Sequence, residues 1–246
     1  SSTSRGLGDV YKRQRRHLPH LPPPLVLGAP PRRIQLISEA QAKQDLAKFG
    51  VLIPTGALVA SAATVEREAA GLGFPVVLKT MGLAHKSEAN AVHLNLGNLK
   101  EVQRALSEMP QGSFLIENMV QGAVVELLLG VVRDPAHGFL LTLAAGGVLT
   151  ELLEDSASLL LPVTAQDVEH ALESLKVNKI LRGFRGRPSG NRAAVIAAVL
   201  ALQDYVLAHK DQIEEVEINP LIVTPNAAIA ADALIRIGQL DDTDSD

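Results

Sequence analysis

The sequence contains no cysteine and no tryptophan, and only 2 tyrosines and 5 phenylalanines among its 246 residues. Without cysteine the chain can form neither disulfides nor thiolate metal sites, which suits a reducing compartment such as the cytoplasm. So few aromatic rings leave little material for a platform on which nucleic-acid bases stack. The formal net charge of -4 also argues against nucleic-acid or membrane-surface binding, because such surfaces are usually basic.

Long apolar runs are also missing, since no stretch approaches the roughly 20 residues that a membrane-spanning helix needs. The chain is nevertheless 47% hydrophobic, which is enough for a sizeable core. We therefore expect a soluble globular protein of the cytoplasm, with neither a nucleic acid nor a membrane as its partner.

The first 31 residues differ in composition from the rest of the chain. They combine a basic run with a proline-rich one and follow neither helical nor strand periodicity. We expect residues 1–31 to be disordered, as a non-native leader or a linker. The ordered domain is expected at 32–238, with subdomains at 32–112 and 113–238, and 239–246 is expected to be an acidic tail.

Within the ordered part, helical and strand patterns alternate. Ser38 and Gln41 form a capping-box pattern that opens a helix ending near Phe49. The alternation up to Pro110 is typical of an α/β (α+β) domain. Glycine and proline turns then separate patterns typical of antiparallel strands. The later strands are predicted at 113–118, 123–133, 139–145, 213–223 and 227–237.

A lysine and a histidine stand close together in the stretch FPVVLKTMGLAHKSEANAVHLNL. Lys79 is predicted to end an apolar strand, and His85 lies in the loop that follows. A fixed cation beside a mobile imidazole suggests phosphate chemistry. The alternatives are a strand-edge lysine with a solvated head and an ordinary loop histidine.

The two C-terminal strands suggest a metal site. A turn centred between Pro225 and Asn226 would place Asn219 directly opposite Asp232, with Cβ atoms ~5 Å apart. A carboxylate and an amide oxygen are hard ligands of the kind that Mg²⁺ prefers. In the alternative interpretation, Asn219 is simply a turn former before Pro220.

Other polar residues are candidates for ligand contacts. Glu126 lies in the apolar strand AVVELLLGVV and needs either a ligand or a structural partner such as backbone or an arginine. The preceding IENMV segment offers a backbone edge for an adenine ring. Gly146 and Gly147, with Thr150 and Glu151, form either a phosphate cradle or a hairpin turn. A turn rich in arginine precedes the last predicted helix, and its arginines are Arg182, Arg185 and Arg187. This basic turn either clamps phosphate or is solvated.

Several familiar motifs are absent, among them GxxxxGK[ST], GxGxxG after a strand, HExxH and GxSxG. The motifs that are present resemble, in their order, the ATP-grasp domain of nucleoside-diphosphate-forming acyl-CoA synthetases. This group includes the beta subunit or domain of ADP-forming acetyl-CoA synthetase and, more distantly, succinyl-CoA synthetase. The resemblance covers about residues 34–237. It rests on SEAQAKQDLAKFGVLIP, GFPVVLKT, AHKSEANAVHLNL, IENMVQGAVVELLLGVVRDPAHG, GGVLTELLEDSASLLLP, LRGFRGRP, EVEINPLIV and AADALI.

The resemblance implies an ATP-grasp fold with nucleotide bound between two subdomains. It implies that Lys79 binds nucleotide phosphates and that His85 is the phosphate-transfer histidine. Asn219 and Asp232 match the family's Mg²⁺ ligands. The family usually has glycine at the position of Asn90, and often Gly-Gly at the positions of Asn90 and Ala91, which implies that the loop after His85 has lost flexibility.

The same resemblance assigns the adenine-contacting hinge and the acidic residue that follows it. The hinge comprises Glu117, Asn118, Met119 and Val120, and the acidic residue is Glu126.

The implied activity is Mg²⁺-dependent phosphoryl transfer between ATP or ADP and a phosphohistidine of a partner. The reaction is coupled to formation of acyl-CoA from a carboxylic acid and CoA, and a CoA-binding alpha subunit or fused domain would supply the rest of the enzyme. The alternatives are a non-catalytic nucleotide-binding or regulatory module, and an ATP-grasp carboxylate–amine ligase, which does not account for the HKSE loop.

Overall fold

The computed structural model describes residues 25, 27, 33–82, 91–146 and 155–239. In these ranges the helices are α1 (Glu39–Ala47), α2 (Ala62–Leu72), α3 (Leu99–Glu108), α4 (Ala165–Ser174), α5 (Asn178–Leu181) and α6 (Arg192–Ala208). The strands are β1 (Arg33–Ile37), β2 (Gly56–Val59), β3 (Val76–Thr80), β4 (Val92–Leu96), β5 (Phe114–Asn118), β6 (Val125–Asp134), β7 (Gly138–Ala145), β8 (Ser156–Leu160), β9 (Ile213–Val223), β10 (Ala228–Ala230) and β11 (Ala233–Gln239).

The larger sheet has the strand order β1-β11-β9-β6-β7-β8, and β10 pairs with β9. Its core face is built by alternation, as β6 shows: Leu127, Leu129 and Val131 are fully buried in the larger core. Since side chains alternate along a strand, Glu126 projects from the opposite face. Helices α1, α4 and α6 cover the core face.

The smaller sheet has the order β2-β5-β3-β4. Val76, Leu78 and Ile116 point into a second core that α2 and α3 cover. Alternation therefore places Lys79 on the other face, and Glu117 with it on the neighbouring strand. The segment between α1 and β2 contacts the larger sheet at β10, because Ala230 N donates to Leu52 O at 2.8 Å.

The predicted register of the C-terminal hairpin is confirmed. Val223 pairs with Ala228 and Ile218 pairs with Ala233, so that Asn219 lies opposite Asp232. The second strand of this hairpin was predicted as one continuous strand at 227–237. It is instead divided into β10 and β11 by a bend at Ala231 and Asp232.

Other boundaries differ from the sequence-based prediction. Helix α1 ends at Ala47 rather than near Phe49, and Gly50 follows with a φ of 106°. The prediction missed β1, which is short and mostly exposed, and β8, whose sequence SASLL has no clear alternation.

The boundary between two subdomains at residue 112 stays a prediction, but strands from either side of it pair with each other in both sheets. Strand β5 lies in the smaller sheet and β1 in the larger one. Leu25 and Leu27, which fall in the segment expected to lack order, pack partly buried against the larger core. No helix in the described ranges is long and apolar enough to span a membrane.

Candidate functional site

Four charged side chains meet at the face of the smaller sheet where it approaches α1. Glu39 and Lys43 lie one turn apart on α1, which places them on the same side of the helix. Lys79 comes from β3 and Glu117 from the adjacent β5. All four are buried, with exposures of 5% for Glu39, 1% for Lys43, 6% for Lys79 and 4% for Glu117. We call these four residues the charge cluster.

Within the cluster, each ammonium contacts both carboxylates. Lys79 Nζ donates to Glu39 Oε1 at 2.5 Å and lies 3.4 Å from Glu117 Oε2. Lys43 Nζ donates to both Glu117 oxygens, at 2.5 and 2.7 Å, and lies 2.9 Å from Glu39 Oε1. Buried charges of this kind are tolerated because each one is paired and hydrogen-bonded.

Lys79 is charged in this environment. Burial alone would lower the pKa of Lys79, but the carboxylates of Glu39, Glu117 and Asp232 more than offset it, and the pKa lies above its ordinary value of 10.5. The alternative interpretation, a strand-edge lysine with a solvated head, is wrong, since the residue is buried.

The bend between β10 and β11 connects the charge cluster to the hairpin. The carbonyl of Ala231 accepts from Lys79 Nζ at 2.8 Å and from Lys43 Nζ at 3.2 Å. The next residue is Asp232, whose carbonyl accepts from Asn219 N at 3.2 Å. The predicted phosphate-binding lysine and the predicted metal ligands therefore converge on one bend.

The hairpin pair fits a hard cation. Asn219 donates through its Nδ2 to Glu217 Oε1 at 3.2 Å, and among the described residues its amide oxygen accepts no hydrogen bond. In the described part of the chain, no group of three or more histidine or acidic side chains is placed to hold a metal. Mg²⁺ often takes only one or two protein ligands and fills its other positions with water and phosphate, so the pair suffices.

The predicted adenine hinge comprises the last two residues of β5, Glu117 and Asn118, and the next two residues, Met119 and Val120. The amides of Asn118 and Met119 are engaged, since they donate to Thr55 O and Pro75 O at 2.9 and 3.0 Å. Val120 N–H donates to no described residue. The backbone edge available to a base therefore begins at Val120, while the Glu117 carboxylate belongs to the charge cluster.

Glu126 lies on the open face of the larger sheet and is only partly buried. Among the described residues its carboxylate forms neither a hydrogen bond nor an ion pair, so the expected backbone or arginine partner is not found there. Its carbonyl accepts from Gly146 N at 2.8 Å. A Cβ at Gly146 would lie 2.9 Å from the Glu126 backbone, so this close strand approach explains the glycine without a phosphate.

The basic turn corresponds to the solvated alternative. Arg182 pairs with Glu173 at 2.8 Å, and Arg185 lies 5.1 Å from the ring of Phe184. These arginines and Arg187 are exposed. The prediction for His85 lies outside the described residues, as do those for Asn90, Gly147, Thr150 and Glu151.

Glu39 and Lys43 were not among the site residues predicted from the sequence. A signal was present, because Glu39, Ala42, Lys43 and Leu46 share one face of α1, and charges on a face that also carries Ala42 and Leu46 are buried only with partners. The spacing could not reveal the partners, since Lys79 lies 40 residues after Glu39 and Glu117 lies 74 residues after Lys43.

Comparison with known proteins identifies the family of the chain. A family model described as an ATP-grasp domain matches residues 29–237. The chain belongs to the ATP-grasp family.

Among curated relatives, this ATP-grasp domain is 31% identical over 211 residues to acetate–CoA ligase [ADP-forming] II of Archaeoglobus fulgidus. That match covers 83% of the chain but only 31% of the relative. The subunit beta of acetate–CoA ligase [ADP-forming] II of Pyrococcus furiosus is 28% identical, and the match covers 80% of the chain and 89% of the subunit. The ATP-grasp domain thus spans about a third of the first relative and most of the second.

Among solved structures, the chain is also similar to an acetyl-coenzyme A synthetase. Dinucleotide forming acetyl-coenzyme A synthetase 1 of Ca. Korarchaeum cryptofilum, in complex with coenzyme A and Ca-AMPCP, matches with a TM-score of 0.77 at 27% identity. The match covers 82% of the ATP-grasp domain chain and 93% of the other chain. A complex of the same protein with coenzyme A and Mg-AMPPCP matches with a TM-score of 0.70.

Proposed function

We propose that this ATP-grasp domain binds Mg²⁺ with ATP or ADP and is the nucleotide-binding half of an ADP-forming acyl-CoA synthetase. The observation that carries the proposal is the convergence on Ala231, whose carbonyl accepts from Lys79 and which directly precedes Asp232. One bend thereby joins a buried cation to a carboxylate–amide pair, a combination suited to a metal-bound polyphosphate.

Each predicted residue has a role in this proposal. Lys79 contributes a positive charge to the nucleotide phosphates, and Asn219 and Asp232 hold Mg²⁺. A bound Mg²⁺ neutralises phosphate charge, which is what phosphoryl transfer needs most from its site. Residues 117–120 form the wall against the base, where Val120 N–H is available as a donor. His85 is the proposed phosphate-transfer residue.

Glu126 is proposed to contact the nucleotide as well. Its carboxylate projects from the open face of the larger sheet, next to β9, on which Asn219 also lies. A partly buried carboxylate without a protein partner among the described residues is suited to accept a hydrogen bond from a ligand hydroxyl.

The other half of the enzyme is proposed to be a CoA-binding subunit or fused domain. The relatives support both arrangements, since one is a much longer ligase and the other is a separate subunit beta. The partner would supply the phosphohistidine and the pocket for the acyl group. A cytoplasmic setting suits the cysteine-free sequence.

The test is a reconstitution with a CoA-binding alpha subunit of an ADP-forming acetyl-CoA synthetase, supplied with acetyl-CoA, phosphate, ADP and Mg²⁺. We expect ATP to form only when both proteins are present, and His85→Ala to abolish its formation while ADP binding persists. ATP formation that His85→Ala leaves unchanged would reject the role of this histidine.

Nucleotide binding without ATP formation would contradict the ligase assignment and favour a non-catalytic nucleotide-binding module. Failure of the wild-type chain to bind Mg·ADP at all would overturn both interpretations.

A further inference from the structure

Lys79 is engaged by protein partners. Its ammonium donates to Glu39 Oε1 at 2.5 Å in a short, charge-assisted hydrogen bond. If Lys79 serves the nucleotide phosphates, as proposed above, then Glu39 and the phosphates compete for the same cation. The free energy of nucleotide binding therefore includes the cost of breaking the ion pair between Lys79 and Glu39.

Lys43 is placed to reduce that cost. It donates to both oxygens of Glu117 and lies 2.9 Å from the Glu39 oxygen that Lys79 also contacts. The charge cluster holds two ammonium groups and two carboxylates. When Lys79 turns to phosphate, Lys43 is the cation that stays with both carboxylates, and without it two buried anions would face each other.

The backbone supports this arrangement. Ala231 O accepts from both lysines, at 2.8 Å from Lys79 and 3.2 Å from Lys43. When Lys79 leaves, Lys43 still holds the carbonyl that precedes Asp232. The proposed metal-binding bend therefore keeps one of its two contacts with the cluster.

We propose that Glu39 and Lys43 are positioning residues for nucleotide binding: Glu39 holds Lys79 until phosphate replaces it, and Lys43 compensates the carboxylates that Lys79 leaves behind. The proposal rests on the nucleotide-binding function and adds two residues that act through Lys79. Neither residue has to touch the nucleotide.

The test is calorimetric titration of Mg·ADP into the full chain, three variants of the charge cluster and one control variant. Glu39→Gln removes the competitor of phosphate, so we expect ADP to bind about threefold or more tightly than to the wild type. Lys43→Met leaves two carboxylates with Lys79 alone, and we expect affinity to fall on the order of tenfold. The double variant restores charge balance and is expected to return to within about threefold of the wild type.

Lys48→Met is the matched control, because Lys48 directly follows the same helix but is exposed and, among the described residues, pairs only with Asp45 on the surface. Its ADP affinity should not change. A thermal melt of each variant separates loss of fold from loss of binding. Should Lys43→Met fail to fold, Glu39→Gln still tests the proposal, because an unchanged or weaker affinity would overturn it.

The outcomes also separate this inference from the proposed function. A wild-type chain that binds Mg·ADP, together with a double variant no better than Lys43→Met, rejects the charge-compensation role and leaves the function intact. A wild-type chain that does not bind Mg·ADP rejects both.

Discussion

Gly56 is the residue whose substitution should report most directly on how Glu117 is held. It pairs with Glu117 across β2 and β5. A Cβ at this position would lie 2.4 Å from Ile116 O and 2.6 Å from Glu117 Cγ. Because ordinary contact begins near 3.4 Å, Gly56→Ala would have to displace β2 or Glu117 by about 1 Å. The 2.5 Å contact between Glu117 and Lys43 would then be stretched or broken.

The expected cost follows from that displacement. Overpacking of this size destabilises a protein by about 1 to 3 kcal/mol, and in a chain of this length each kcal/mol lowers the melting temperature by roughly 2 to 4 °C. We also expect Mg·ADP to bind roughly fivefold more weakly, because Glu117 loses about 1 kcal/mol of charge-assisted hydrogen bonding to Lys43, and Lys43 then compensates the carboxylates less well when Lys79 turns to phosphate.

The assays are a thermal melt and a calorimetric titration, with Gly71→Ala as the control. Gly71 lies in α2 with no heavy atom within 4 Å of a built Cβ, so alanine there should be neutral or stabilising by up to about 1 kcal/mol. A Gly56→Ala variant with wild-type melting temperature and affinity would refute the close-packing explanation.

Two further predictions concern Asp232 and Tyr205. Asp232→Ala should raise the Mg²⁺ concentration needed for ADP binding by about tenfold or more, since it removes the only carboxylate of the proposed metal pair; unchanged Mg²⁺ dependence in the titration would reject the metal assignment. Burial and the nearby Asp45 carboxylate raise the pKa of Tyr205 from 10.0 to about 12. The unfolded chain therefore loses this proton first, and the unfolding free energy should fall by about 2 kcal/mol as the pH rises from 10 to 12. Denaturant titrations of Tyr205→Phe should lack this part of the fall, and an identical pH dependence in both proteins would contradict the assignment.

Local patterns in the sequence predicted the hairpin and the start of α1. The opposition of Asn219 and Asp232 followed from the position of the turn alone, because pairing in a hairpin is fixed once its centre is known. Ser38 caps α1 by accepting from Gln41 N, at the helix start that their spacing predicted. Such features depend on neighbours within a few residues or across one turn.

Features that depend on distant pairing were not predictable in the same way. Strand β5 resembles its neighbours along the chain, yet it pairs with β2 and β3 in the other sheet. Lys79 was singled out as a cation at the end of a strand, but the Glu39 and Lys43 side chains that surround it come from a helix 40 and 36 positions earlier. The sequence pattern places charges on a helix face, and only the fold shows which opposite charges they meet.

Whether Lys79 binds the nucleotide phosphates is measured by calorimetric titration of Mg·ADP into the wild-type chain and into Lys79→Met. We expect binding to the wild type with a dissociation constant between about 1 μM and 1 mM, the usual range for enzyme substrates, and at least about tenfold weaker binding to Lys79→Met with its fold retained in a thermal melt. Equal affinity of the two proteins, or no binding to either, would show that Lys79 does not bind nucleotide.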